Sequence, residues 1–174
     1  MSGNTLLVVG VGNELCGDDG VGPWIARRIA AADWPGVTAV ALHSSDPSSL
    51  LDLWRGFSFV YLVDAVFAPY PVGTILRLNL THRIWTARLQ TASTHTIDLW
   101  EVIELARTLG ELPARLVLYG IVSHSFRLGT GLSPEVEAAA RKVVTRLRHA
   151  ATQIRRTPPH SRVSRKTLSD TGEK

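Results

Sequence analysis

The chain has almost no cysteine. Cys16 is the only one in 174 residues, which rules out an internal disulfide and suits a reducing compartment. No apolar run reaches the roughly 18 residues that a membrane-crossing helix needs. The opening stretch MSGNTLLVVGVG lacks a basic n-region and leads straight into an apolar run, so no signal peptide is expected. With no membrane and no export signal expected, the expected location is the cytoplasm. A positive surplus is also missing from most of the chain. The formal charge is +4, but residues 155–174 carry six Lys/Arg against two Asp/Glu, leaving thirteen of each sign elsewhere. A neutral body with a short basic end is a poor duplex binder, so no nucleic-acid partner is expected. Two motifs that would announce a function are absent too. There is no GxSxG elbow of a serine hydrolase. The dinucleotide fingerprint fails at its third glycine, where Leu15 stands, and His43 rather than an acid follows the second apolar run.

Residues 10–22 read GVGNELCGDDGVG, directly after the apolar run Thr5-Leu6-Leu7-Val8-Val9. A buried strand therefore empties into a glycine-rich loop bearing two adjacent aspartates. Open α/β sheets place their sites at that end of a strand. Glycine freedom beside fixed carboxylates suits the grip of a cation or a polar substrate. Two aspartates in the loop would repel a pyrophosphate, which further disfavours a nucleotide cofactor.

Further strands are expected at 37–42, 57–64 (FSFVYLVD), 73–80 and 115–122 (RLVLYGIV), with the partly alternating 73–80 as an edge. Helices are expected at about 22–33, from Asp46-Pro47 onward, at about 96–109 ending on Gly110, and from Ser133-Pro134-Glu135 to about 154. Trp24, Ile25, Ile29 and Ala32 would face inward on the first. Leu50, Leu51 and Trp54 would do so on the second, and Val136, Ala140, Val143, Leu147 and Ile154 on the last. Residues 81–95 form a long irregular stretch, a length that is usually functional. Alternating strands and helices imply a three-layer α/β/α fold. Its twisted sheet would be mostly parallel, with about five strands and one antiparallel edge strand. One domain is expected over 1–154, followed by a basic tail, 155–174, whose composition predicts disorder.

Three side chains stand out. Asp64 closes an apolar strand, where a carboxylate is expensive unless paired or on metal. Asp19 lies in the glycine loop, and His95 at the end of the long stretch. Each also has a plainer reading: a helix cap for either aspartate and a surface position for the histidine. Together they form an O,O,N set that leaves coordination positions open, and that suits zinc, nickel, manganese or iron alike. Cys16 is a weak nucleophile candidate, since no base adjoins it and two aspartates disfavour the thiolate.

The segments LLVVGVGNELCGDDGVG, YLVDA (61–65), STH (93–95) and LVLYGIVSHSFRLGTGLSPEVEAA (from 116) resemble the hydrogenase maturation endopeptidases. The resemblance runs from about residue 5 to 150. It implies an endopeptidase that removes the C-terminal peptide of a NiFe hydrogenase large-subunit precursor. The cofactor it implies is nickel already seated in that substrate, with another divalent metal able to stand in. It also implies Asp19, Asp64 and His95 as metal ligands, with Asp19 and Asp64 catalytic, and Gly12, Asn13, Asp18 and Gly20 in the substrate loop. Water activated by the metal and an aspartate base are both open as the cutting agent. Where many members carry a Pro-Glu-like pair, this chain has Ser123-His124-Ser125. His124 there is either an extra ligand or a surface residue. The rival readings are a non-catalytic nickel-binding chaperone using the same three residues, and a hydrolase of another substrate on the same fold.

Overall fold

A computed structural model describes residues 5–43, 47–81, 90–91 and 99–156, with the backbone alone at 47, 48, 90 and 91. The strands are β1 (Leu6–Val11), β2 (Val37–Leu42), β3 (Phe59–Phe67), β4 (Ile75–Asn79), β5 (Gln90–Thr91) and β6 (Arg115–Val122). The helices are α1 (Val21–Ala31), α2 (Pro47–Trp54), α3 (Leu99–Leu109) and α4 (Pro134–Arg156). A 3-10 turn, Gly17–Gly20, links β1 to α1.

The sheet order is β2-β1-β3-β6-β4. The first four of these strands run parallel, and β4 pairs antiparallel with β6 at one edge, as its alternating pattern predicts. Period-two alternation sends successive side chains to opposite faces. On one face Leu6, Val8, Tyr61, Val63, Val117 and Tyr119 pack with α1 and α4. On the other, Leu7, Val9, Val60, Leu62, Leu116 and Leu118 pack with α2 and α3. Strands buried on both sides explain the unbroken apolar runs in the sequence. The chain leaves β1 toward β2 and returns to β3 on the far side. The sheet thus reverses direction between β1 and β3, and open sheets bind ligands in the crevice at such a reversal.

Several expected boundaries move. β3 does not stop at Asp64 but continues through Ala65, Val66 and Phe67. β1 has ended by then, its last pair with β3 being Gly10 with Val63. The vacated edge of β3 is taken by β5, where Val66 pairs with Thr91 and Phe67 with Gln90. The stretch 81–95 is therefore not irregular throughout. Helix α1 ends at Ala31, and Ala32, expected on its inner face, is exposed because the chain turns there through Asp33 at φ 44°. Helix α4 runs two residues past 154. Asp46, residues 92–98 and residues 157–174 of the expected tail lie outside the described residues.

Candidate active site

The glycine loop leaves β1 and folds back over its own aspartates. Gly12 sits at φ 131°, and a Cβ there would lie 2.0 Å from the Asp19 carbonyl oxygen, so only glycine allows this approach. The Asn13 amide donates to Asp19 Oδ2 at 2.9 Å. The Asn13 side chain accepts from the Leu15 amide at 3.0 Å and closes the turn. At Gly22 a Cβ would meet the Val11 carbonyl at 2.3 Å and the Val63 carbonyl at 2.5 Å. That glycine lets α1 seat directly on the ends of β1 and β3. Gly20, expected in the substrate loop, is buried in the 3-10 turn that carries Asp19.

Asp18 and Asp19 are adjacent and both buried, yet they point to different tasks. Asp18 Oδ1 accepts from the Ser133 amide at 2.6 Å, and Oδ2 from the Ser133 hydroxyl at 3.1 Å. Fully buried and fully bonded, Asp18 ties the loop to the start of α4. Both of its oxygens serve that tie. Asp19 keeps one oxygen, Oδ1, buried with no hydrogen-bond partner among the described residues. Burial pushes its carboxyl above the usual aspartate range, and the Asn13 amide pulls the other way.

Asp64 lies inside β3, 1% exposed, in register with Gly120 of β6, which offers no side chain beside it. Both its carboxyl oxygens are buried without a hydrogen-bond partner among the described residues. Its proton is held well above the usual range by burial first and by the Asp19 charge second. The Ala65 amide acts in the opposite sense, but not in hydrogen-bonding geometry. The Asp19 charge acts on Asp64, and the 3-10 turn packs against β3, so carboxyls 45 positions apart in the chain lie close together. Among the described residues no third His, Cys, Asp or Glu completes a metal-binding group with them. His95 lies outside the described residues. Three orphaned carboxyl oxygens at one crevice are a donor set that a hard or borderline divalent cation satisfies.

Residues 123–133 cover the loop from the side. The Ser125 carbonyl accepts from the Asp18 amide at 2.9 Å, and the Gly129 amide donates to the Leu15 carbonyl at 2.8 Å. Ser123 is buried and donates to the Ile121 carbonyl at 3.1 Å. His124 is exposed, its ring 6.3 Å from that of Phe67, which also meets Phe126 at 4.9 Å. Leu15 (67% exposed), Leu128 (78%) and Phe67 (38%) thus form an apolar rim. No periodic pattern marks this rim in the sequence, because Leu15 and Leu128 sit in loops and Phe67 is the last residue of β3. In the sequence Ser133 signals only the opening of α4. Its partnership with Asp18 spans 115 positions. Cys16 is partly buried in the turn, its amide on the Asn13 carbonyl.

This is a doubly wound α/β protein with an acidic centre at its topological switch point. A family model described as HycI, hydrogenase maturation protease, matches residues 45–150, and the chain belongs to that family. It is an endopeptidase of hydrogenase-precursor processing. The matched segment holds Asp64 and His95 and begins after the glycine loop. The hydrogenase 2 maturation protease of Escherichia coli K12 is 28% identical over 156 residues, spanning 85% of this chain and 93% of that protein. The solved structure of the E. coli hydrogenase maturating endopeptidase HybD matches with a TM-score of 0.69 at 24% identity, over 86% of this chain and 93% of that one. A hydrogenase 2 maturation peptidase from a Thaumarchaeota archaeon matches at 0.60 and 26% identity, over 85% and 98%.

Proposed function

We propose that the chain removes the C-terminal peptide from a NiFe hydrogenase large-subunit precursor, and that it does so only once nickel is seated in that precursor. The observation that carries this reading is the set of buried, unpartnered carboxyl oxygens on Asp19 and Asp64. A site that leaves such oxygens without donors is costly when empty and is relieved by a cation. Nickel arriving with the precursor supplies that relief, so docking is favoured only for a loaded substrate. Asp19 and Asp64 are the acidic ligands, and His95 is the third. Thr91 pairs with Val66, two residues beyond Asp64, and His95 follows Thr91 by four residues.

Asp64 gives up its proton as the cation arrives. Asp19 is held by the Asn13 amide through one oxygen, with the other turned to the site. That free oxygen meets the cation, and the proton of the attacking water passes to an aspartate of the pair and on to the leaving amine, which makes the chemistry aspartic in type. The precursor lies across the rim of Leu15, Leu128 and Phe67, which brings the scissile bond to the crevice. No described helix is long and apolar enough to cross a membrane, and we place the work in the cytoplasm, where a thiol such as Cys16 stays reduced. The protease domain runs through α4.

Intact-mass analysis of the precursor before and after incubation tests this reading. The nickel-loaded precursor should lose its C-terminal peptide and the nickel-free one should not. A loaded precursor of unchanged mass would favour the carrier reading, and efficient trimming of the nickel-free form would overturn the gate.

A further inference from the structure

Gly12 is gripped from both sides by the end of β2. Its amide donates to the Leu42 carbonyl at 3.4 Å, and its carbonyl faces His43 Nδ1 at 3.0 Å. A carbonyl oxygen only accepts, so Nδ1 carries the proton and donates. The other half of the same peptide is the Asn13 amide, which donates to Asp19 Oδ2 at 2.9 Å. One peptide plane therefore joins the His43 ring to the Asp19 carboxylate. Nδ1–H bonds its oxygen, and its N–H bonds the aspartate. The far nitrogen, Nε2, stands 3.8 Å from Glu14 Oε1, beyond hydrogen-bonding distance. Glu14 is fixed by Arg27 at 2.7 Å.

We infer that His43 is a positioning residue that acts on Asp19 through the Gly12–Asn13 peptide. Two physical effects follow from the arrangement. Fixing the Gly12 carbonyl sets the rotation of the peptide plane, and so aims the Asn13 N–H at Oδ2. A donor on the carbonyl also polarises the amide and strengthens its N–H as a donor. Together they hold Oδ2 in place and leave Oδ1 turned to the crevice. At φ 131°, Gly12 has no side chain of its own to fix that plane. The clamp must come from another strand, and β2 is the neighbour of β1 that can supply it. His43 is about half exposed, so its loss leaves the core intact. The role rests on Asp19 being a working carboxylate, as proposed above.

The test uses the full chain with His43→Ala, His43→Asn and Asp19→Ala, nickel-loaded precursor as substrate, and the Asn13 amide resonance of the isotope-labelled protein without metal. For His43→Ala, kcat should fall about three- to tenfold, the span of one partly exposed hydrogen bond. KM should stay within about twofold, as for an interaction made in the transition state, and the Asn13 amide proton should move upfield. Asparagine places an N–H near the position of Nδ1, so His43→Asn should recover most of both. Wild-type kcat with an unmoved Asn13 resonance in His43→Ala would overturn the inference, and so would a change confined to KM. Asp19→Ala separates the two readings. Retained cleavage there overturns the proposed function, while the Asn13 resonance still reports whether His43 governs the peptide.

Discussion

Asp18 and Asp19 are neighbours in sequence, equally hidden from solvent, and opposite in chemistry. Asp18 faces α4 and has both oxygens bonded to Ser133. Asp19 keeps Oδ1 buried and unpartnered among the described residues, and its charge disturbs Asp64. Burial alone therefore says little about what an acidic residue does. The count of donors around it separates a brace from a reaction centre, because a satisfied buried carboxylate stabilises the fold while an unsatisfied one stores a demand for a cation or a proton.

The contrast breaks most sharply through the crevice side. Asp64→Ala and Asp19→Ala should each lower kcat/KM for the loaded precursor by at least about a thousandfold, the scale of losing a group that acts in a catalytic unit. The melting temperature should hold or rise. Retained cleavage in both variants would remove the reason to separate the two aspartates. Removing the brace should do the reverse. Asp18→Ala leaves the Ser133 amide and hydroxyl without their charged partner and should cost about 2–3 kcal/mol in chemical denaturation. Cleavage should be near normal at temperatures where the fold survives.

A milder test reads the stored demand directly. Asp64 binds its proton more tightly when folded than its unfolded value of 3.8. Below that pH both states are protonated and the group contributes nothing. Above it the unfolded chain releases the proton first, so stability is lost as pH climbs from there toward the raised folded value. With chelator present, Asp64→Asn should therefore melt about 2–4 °C above the parent at neutral pH. The gap should close near pH 4. Adding a divalent cation should raise the parent's midpoint and leave the variant's unmoved. A gap that is constant with pH would mean that Asp64 is not the group that titrates. The smallest expected effect lies on the rim. Leu128→Glu should raise KM about three- to tenfold, less than the full burial of one leucine would give, with kcat unchanged. An unaltered KM would move the precursor off that surface.

Much of the fold could be read from pattern. Arg115–Val122 matches its expected strand residue for residue, because an apolar run between helix signals has few alternatives. The stripe Val136, Ala140, Val143, Leu147 and Ile154 is buried throughout on α4. The misreadings have local causes. A carboxylate reads as a strand end, yet β3 runs on past Asp64, because the site tolerates there a polar group that a core would not. The two-residue β5 has no pattern of its own and exists because β1 stops short and leaves an edge to fill. The tie between Asp18 and Ser133 left no mark in the sequence, because the partners lie 115 positions apart.

The sequence by itself determined the layers, the glycine loop after β1 and the candidacy of Asp19 and Asp64. Periodicity, glycine geometry and the cost of a lone buried charge are all local quantities. Which aspartate is bonded and which is left wanting, and that His43 grips the loop from a neighbouring strand, were decided only by the tertiary structure. Hydrogen-bond satisfaction depends on donors brought in from distant parts of the chain, and no local pattern records where those donors come to rest.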